Sequence, residues 1–205
     1  MQSPEAVRRQ YLEAMGITQW ERRAAVAAAS AATLPEGSAP VVIAPPPAAS
    51  PDWTVLEEAV RSCTKCALHS TRTQTVFGVG NRRAQWMFVG EAPGADEDRQ
   101  GEPFVGAAGK LLNAMLTALG LKREEVFIAN VLKCRPPNNR DPQADEVEQC
   151  EPYLIRQIEL IQPKLIVALG RHAAHSLLKT DLALARLRGQ RHQYHDIPLI
   201  VTYHP

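Results

Sequence analysis

The sequence predicts an α/β fold: three layers, α/β/α, around a central, mostly parallel four-stranded sheet, with a flexible N-terminal extension outside it. Three observations carry this prediction. Short apolar runs at 86–89, 126–131, 165–169 and 198–203 each stop at or beside a glycine or a polar residue. Between them lie stretches whose apolar residues recur at helical spacing, and strands alternating with helices pair in parallel because each crossover lays a helix on a sheet face. Finally, composition breaks near residue 52. Residues 24–51 hold eleven Ala, six Pro and a single charge, Glu36, and proline from Pro35 onward favours extended, solvated chain.

That break divides the chain into a short segment at 1–23, an Ala/Pro-rich linker at 24–51 and a compact domain at 52–205. Within the domain, Trp86, Met87, Phe88 and Val89 form a buried strand closed by Gly90. Leu111, Leu112, Met115, Leu116 and Leu119 share one helical face, and Gly120 suits the C-cap. The run at 126–131 (VFIANV) is the second strand. Asp141 followed by Pro142 reads as an N-cap with proline at the first helical position, opening an acidic helix to about Ile161. The run at 165–169 (LIVAL) is the third strand; Gly170 and a helix at 171–178 follow it, and 198–203 (PLIVTY) is the fourth. Ligands of such sheets bind beyond the carboxyl ends of the strands. This singles out 90–98, 130–140, 170–172 and 204–205.

Bulk properties exclude several function classes. No apolar run reaches the ~18–20 residues of a membrane span, and the first twenty residues lack the order of a secretory signal. Lys plus Arg (23) nearly balance Asp plus Glu (22) for a net charge of +1, so any contact with nucleic acid must come from local patches. The expected setting is the cytoplasm, where four cysteines act as ligands more readily than as disulfides.

Cys63 and Cys66 form a C-x-x-C pair; Cys134 follows 68 residues later and Cys150 sixteen after that. Paired zinc knuckles would need a second tight pair, whereas one pair with two dispersed cysteines suits the larger iron–sulfur cubane. Spacing alone leaves cluster, zinc, a redox C-x-x-C and ordinary buried cysteines open. After the first strand, Glu91, Asp96, Glu97 and Asp98 crowd the Gly/Pro turn at 90–98. This is either a solvated acidic loop or a set of carboxylates placed to orient water. Phe104 in the glycine-flanked 101–106 loop is a core aromatic or a platform for a planar base. Asn130, at a strand end, is a turn former or an amide matched to a pyrimidine edge. Lys133, Arg135 and Arg140 make a local basic loop suited to phosphates, and Arg186, Arg188, Arg191 and His192 form a second basic stretch. His204 follows the last strand, where an imidazole can stabilise charge on a leaving group.

Taken together, 90–98 (GEAPGADED), 101–112 (GEPFVGAAGKLL), 126–142 (VFIANVLKCRPPNNRDP) and 202–205 (TYHP), with the four cysteines in order, resemble the iron–sulfur-containing family 4 uracil-DNA glycosylases. The resemblance covers about 53–205. It implies a DNA-repair enzyme that flips uracil from single- or double-stranded DNA and hydrolyses its glycosidic bond, in the bacterial cytoplasm close to the nucleoid and as a monomer. It also implies a 4Fe-4S cluster on Cys63, Cys66, Cys134 and Cys150. Phe104 would stack on the base, Asn130 would read its polar edge, and His204 would donate to O2. The Glu91–Ala92 backbone would line the pocket, with Glu91 or Glu97 near the attacking water and Lys133, Arg135 and Arg140 on DNA. Ala92 stands where several other branches carry a water-activating Asp or Asn, which favours Glu91. Relatives continue past the His-Pro, so a truncated C-terminal end is expected. The competing reading is a non-catalytic iron–sulfur module for DNA binding or electron transfer, although a ferredoxin would gather its cysteines in one run. Outside the resemblance, Tyr11, Leu12, Met15, Ile17 and Trp20 cluster between arginines. Residues 12–23 (LEAMGITQWERR) are similar to the clamp-loader-binding peptide of the psi subunit, and imply a replisome contact through 8–23.

Overall fold

The computed structural model describes residues 51–205. The 1–23 segment with its expected replisome contact, and the linker up to residue 50, lie outside the described residues. The first element, α1 (Pro51–Arg61), carries Asp52 in its first turn and Arg61 in its last, complementing the helix dipole. Trp53, Leu56 and Val60 share its buried face.

The chain continues through a 3-10 turn (Ala67–Ser70), β1 (Val79–Gly80), β2 (Trp86–Gly90), α2 (Ala95–Gln100), α3 (Ala107–Ala118) and β3 (Phe127–Asn130). It then forms α4 (Ala144–Ile161), β4 (Leu165–Leu169), α5 (Arg171–Leu178), α6 (Leu184–Leu187), β5 (His192–Tyr194) and β6 (Ile197–Thr202). The sheet has six strands in the order β1-β3-β2-β4-β6-β5. The expectation of four is corrected. The parallel centre, β3-β2-β4-β6, is the expected set, and short antiparallel strands are added at both edges. Neither edge strand has an apolar run of its own. β1 is two residues, preceded by Gly78 and ending on Gly80, both at positive φ. β5 is held in a hairpin with β6 across His195 and Asp196, both at positive φ without the glycine that usually marks such a turn. α4 also starts at Ala144 rather than behind Asp141, because the Glu146 carboxylate accepts the Gln143 N–H at 2.9 Å and moves the cap.

β2, β3 and β4 are almost wholly buried, and their residues alternate between two cores. Met87, Val89, Phe127 and Ala129 face Leu154, Ile158 and Leu177 of α4 and α5. Phe88, Ile128 and Val167 face Leu112 and Leu116 of α3. β2 is hydrogen-bonded to β3 on one side and β4 on the other. Its carboxyl end is therefore the place where strand order reverses and a crevice opens.

Candidate active site

A cleft of about 260 Å3 opens there, lined by Glu91, Ala92, Glu97, Phe104, Asn130, Pro136, Arg140 and His204 among others. Three separated strand ends and the 101–106 loop thus bring most of the residues singled out in the sequence to one cavity. Phe104 is buried, and its ring lies against the His204 imidazole with centroids 5.6 Å apart at 29°. Its φ of 54° is left-handed, which costs a bulky residue about 1–3 kcal/mol unless its surroundings impose it. Glu97 imposes it. One carboxylate oxygen accepts the N–H groups of Val105 (2.9 Å) and Gly106 (3.1 Å), and the other accepts Gly94 N–H at 3.1 Å. Gly109 completes the seat, because a Cβ there would stand 1.8 Å from the Phe104 carbonyl oxygen. The other loop acids are also engaged: Asp98 accepts Thr73 N–H and Asp96 pairs with Arg99.

Asn130 ends β3 at 2% exposure, and its Oδ1 is buried with no hydrogen-bond partner among the described residues. Leaving such an atom unpaired costs about 1–3 kcal/mol. Gly90 keeps the space beside it open, since a Cβ there would meet Asn130 Oδ1 at 2.4 Å and the Phe104 ring at 2.6 Å. The cleft therefore offers one stacking face and one orphan acceptor.

Glu91 forms the opposite wall. Burial pushes its carboxyl above the usual range and Asp141 pushes it the same way, while His172, His204 and Arg171 pull it down. His172 Nε2 lies 3.9 Å from Glu91 Oε2 and 3.2 Å from Asp141 Oδ2; Arg171 reaches Asp141 at 3.1 Å.

A second cavity is lined by Cys63, Cys66, Cys134 and Cys150 with Lys65, Arg72 and Tyr153. All four cysteines are free. Arg72 donates to Cys134 Sγ and the Lys133 N–H to Cys150 Sγ, both at 3.1 Å. Burial raises Cys66 and Cys134 and pushes Cys150 up to about 12.

The uracil DNA glycosylase superfamily model matches residues 77–205. The chain belongs to that superfamily. The type-4 uracil-DNA glycosylase of Archaeoglobus fulgidus is 54% identical over 154 residues, covering 71% of this chain and 77% of its own. That of Sulfurisphaera tokodaii is 51% identical over 159 residues, covering 73% and 72%. That of Thermotoga maritima is 44% identical over 153, covering 74% and 80%.

For this member of the uracil-DNA glycosylase superfamily, one expected DNA contact is corrected. Lys133 is only 1% exposed, with Nζ donating to the Asn130 carbonyl (2.8 Å) and Gln157 Oε1 (2.7 Å), so its ammonium is not at the surface to meet a phosphate. Arg135 is partly exposed and donates to Asn139 Oδ1 at 2.7 Å. Arg140 lines the cleft and grips Glu146 with two bonds, at 2.9 and 2.5 Å. That grip holds the Glu146 carboxyl below its usual range. Two residues near Glu91 escaped assignment. Asp141 carries a second possible meaning as a helix cap, and His172 sat inside the strand-end window at 170–172 without a motif around it.

Proposed function

We propose that this superfamily member excises uracil from DNA, hydrolysing the N-glycosidic bond to free uracil and an abasic site at the start of base excision repair. The observation that carries the reading is the orphan Asn130 Oδ1 beside the Phe104 ring. A flipped uracil stacked on Phe104 presents N3–H to that acceptor and O4 to the amide N–H, repaying the few kcal/mol of extrusion. His204, which lies against Phe104 with ring centroids 5.6 Å apart, supplies a donor to O2 as negative charge builds on the base. Glu91 orients a water on C1′. The water oxygen bonds to C1′, the N1–C1′ bond breaks with its electron pair going to uracil, and the water proton passes to Glu91. Before that transfer, the carboxylate charge also favours the oxocarbenium-like sugar. Glu97, whose oxygens accept three backbone N–H groups, acts as a positioning residue for Phe104 rather than as a base. Arg135 and Arg140 are the basic side chains offered to backbone phosphates.

The same reading assigns a 4Fe-4S cluster to Cys63, Cys66, Cys134 and Cys150. Supporting it are four free thiols around one cavity. Arg72 supplies positive charge at Cys134 Sγ, 3.1 Å away, and Lys65 lines the same cavity. The cluster would supply cross-linking of three segments, and no step of the hydrolysis passes through it.

The test is incubation of the protein with a single-uracil oligonucleotide, followed by heating in alkali. Scission at the uracil is expected, abolished by His204→Ala. No scission by protein carrying its iron would overturn the reading in favour of a non-catalytic module.

A further inference from the structure

Lys133 stands between the two cavities, and no step of the hydrolysis uses it. Its side chain is buried and ends in two short bonds, to the main-chain oxygen of Asn130 at 2.8 Å and to Gln157 Oε1 at 2.7 Å. Gln157, fully buried in α4, is itself anchored by donating to the Phe77 carbonyl at 2.9 Å. At the backbone, the Lys133 N–H donates to Cys150 Sγ at 3.1 Å and its carbonyl accepts Val76 N–H at 2.8 Å. The intervening loop is pinned to the other wall of the cleft. Val131 N–H donates to Gly90 O and Leu132 N–H to Glu91 O, each at 3.0 Å.

Two N–H donors are all this geometry asks of Nζ, and amine and ammonium both have them. Burying lysine is a costly way to fill space that a methionine would fill without desolvation. What the polar end accomplishes is local: it fixes the peptide plane that follows Asn130, and with it the Cα from which the amide side chain departs. An amide that must match N3–H and O4 together tolerates little rotation, and a misplacement near 1 Å costs up to ~100-fold in rate.

We propose that Lys133 is a positioning residue for base recognition: it clamps the backbone of Asn130 to α4, and through Cys150 it ties that clamp to the cysteine cavity. The proposal rests on the cleft being the uracil site. The experiment is a double-mutant cycle of Lys133→Met and Asn130→Ala on the full chain. One readout is single-turnover excision; the other is equilibrium binding of a duplex carrying one non-hydrolysable 2′-fluorouridine, with melting temperature and visible absorbance as checks on folding and iron content.

Lys133→Met is expected to weaken both rate and binding about ten- to a hundredfold, and to change binding less than twofold once Asn130 is alanine. Equal losses in both backgrounds, or a lowered melting temperature with unchanged binding, would overturn it. If Lys133→Met does not fold, Gln157→Leu removes the same anchor and enters the same cycle. A parent protein that excises no uracil would instead sink the functional reading.

Discussion

On the proposed reading, one atom of Asn130 decides selectivity. Uracil and cytosine differ at N3 and position 4, where donor and acceptor exchange places. The buried, unpartnered Oδ1 is satisfied by one pattern only, and a mismatch leaves polar groups unpaired at about 1–3 kcal/mol each. Asn130→Asp is therefore expected to lose uracil excision by at least ~10-fold and to gain trace excision of cytosine, measured on matched single-base oligonucleotides. Excision of uracil at the parent rate by that variant would remove Asn130 as the reader. Glu91 has a pH consequence. Its carboxyl is raised by burial, and as the proposed base it would take a proton from water only when ionised, so the rate should fall as pH drops through a value above the ordinary 4.5. His172 pulls that value down. His172→Ala should move the acid limb of kcat/KM to higher pH, and an unmoved limb would show that this limb does not report Glu91.

α3 shows how a helix can shape the site through the backbone of a neighbouring loop. Its third residue, Gly109, abuts the Phe104 carbonyl so closely that a Cβ would stand 1.8 Å away. Gly109→Ala must push the 101–106 loop outward, for about 1–3 kcal/mol of overpacking. It should cut excision more than it lowers the melting temperature of the domain, with the helical circular dichroism signal retained. Full activity in that variant would mean the Phe104 seat is not set by α3. The central elements were legible in the chain because β2, β3 and β4 are buried on both faces, so each reads as an unbroken apolar run. β1 and β5 were not, since two and three residues pair only where a neighbour's edge is already built. Asn130 was visible as a residue type at a strand end and Phe104 as an aromatic in a glycine-flanked loop, and the family motifs ranked them. The duties of Glu97 and Lys133 were hidden. Which oxygens meet which N–H groups depends on loops meeting in space, and a lysine between two motif residues looks solvent-facing until its burial is seen.

Across the whole molecule, the four cysteines come from just after α1, from the loop behind β3 and from the middle of α4. Ligation would join segments that are otherwise held by ordinary packing. On the proposed cluster assignment, burial raises the Cys150 thiol, so ligation releases its proton, and iron binding by iron-free protein should strengthen as pH rises. Cys150→Ala should lower the melting temperature while leaving the single-turnover rate of the surviving folded fraction within a few-fold. A rate loss with unchanged melting would reverse that assignment. The strand order has a further consequence, in time rather than space. β6 comes last in the described chain yet lies between β4 and β5, and His204 follows it directly. As the ribosome delivers the protein, Phe104 and Asn130 emerge well before the strand that carries the leaving-group donor, and parallel pairing across such separations is slow. On the proposed reading the newborn chain thus holds the base-binding and water-orienting residues without the leaving-group donor, and excision in a refolding experiment should return with the slowest structural phase, never ahead of it.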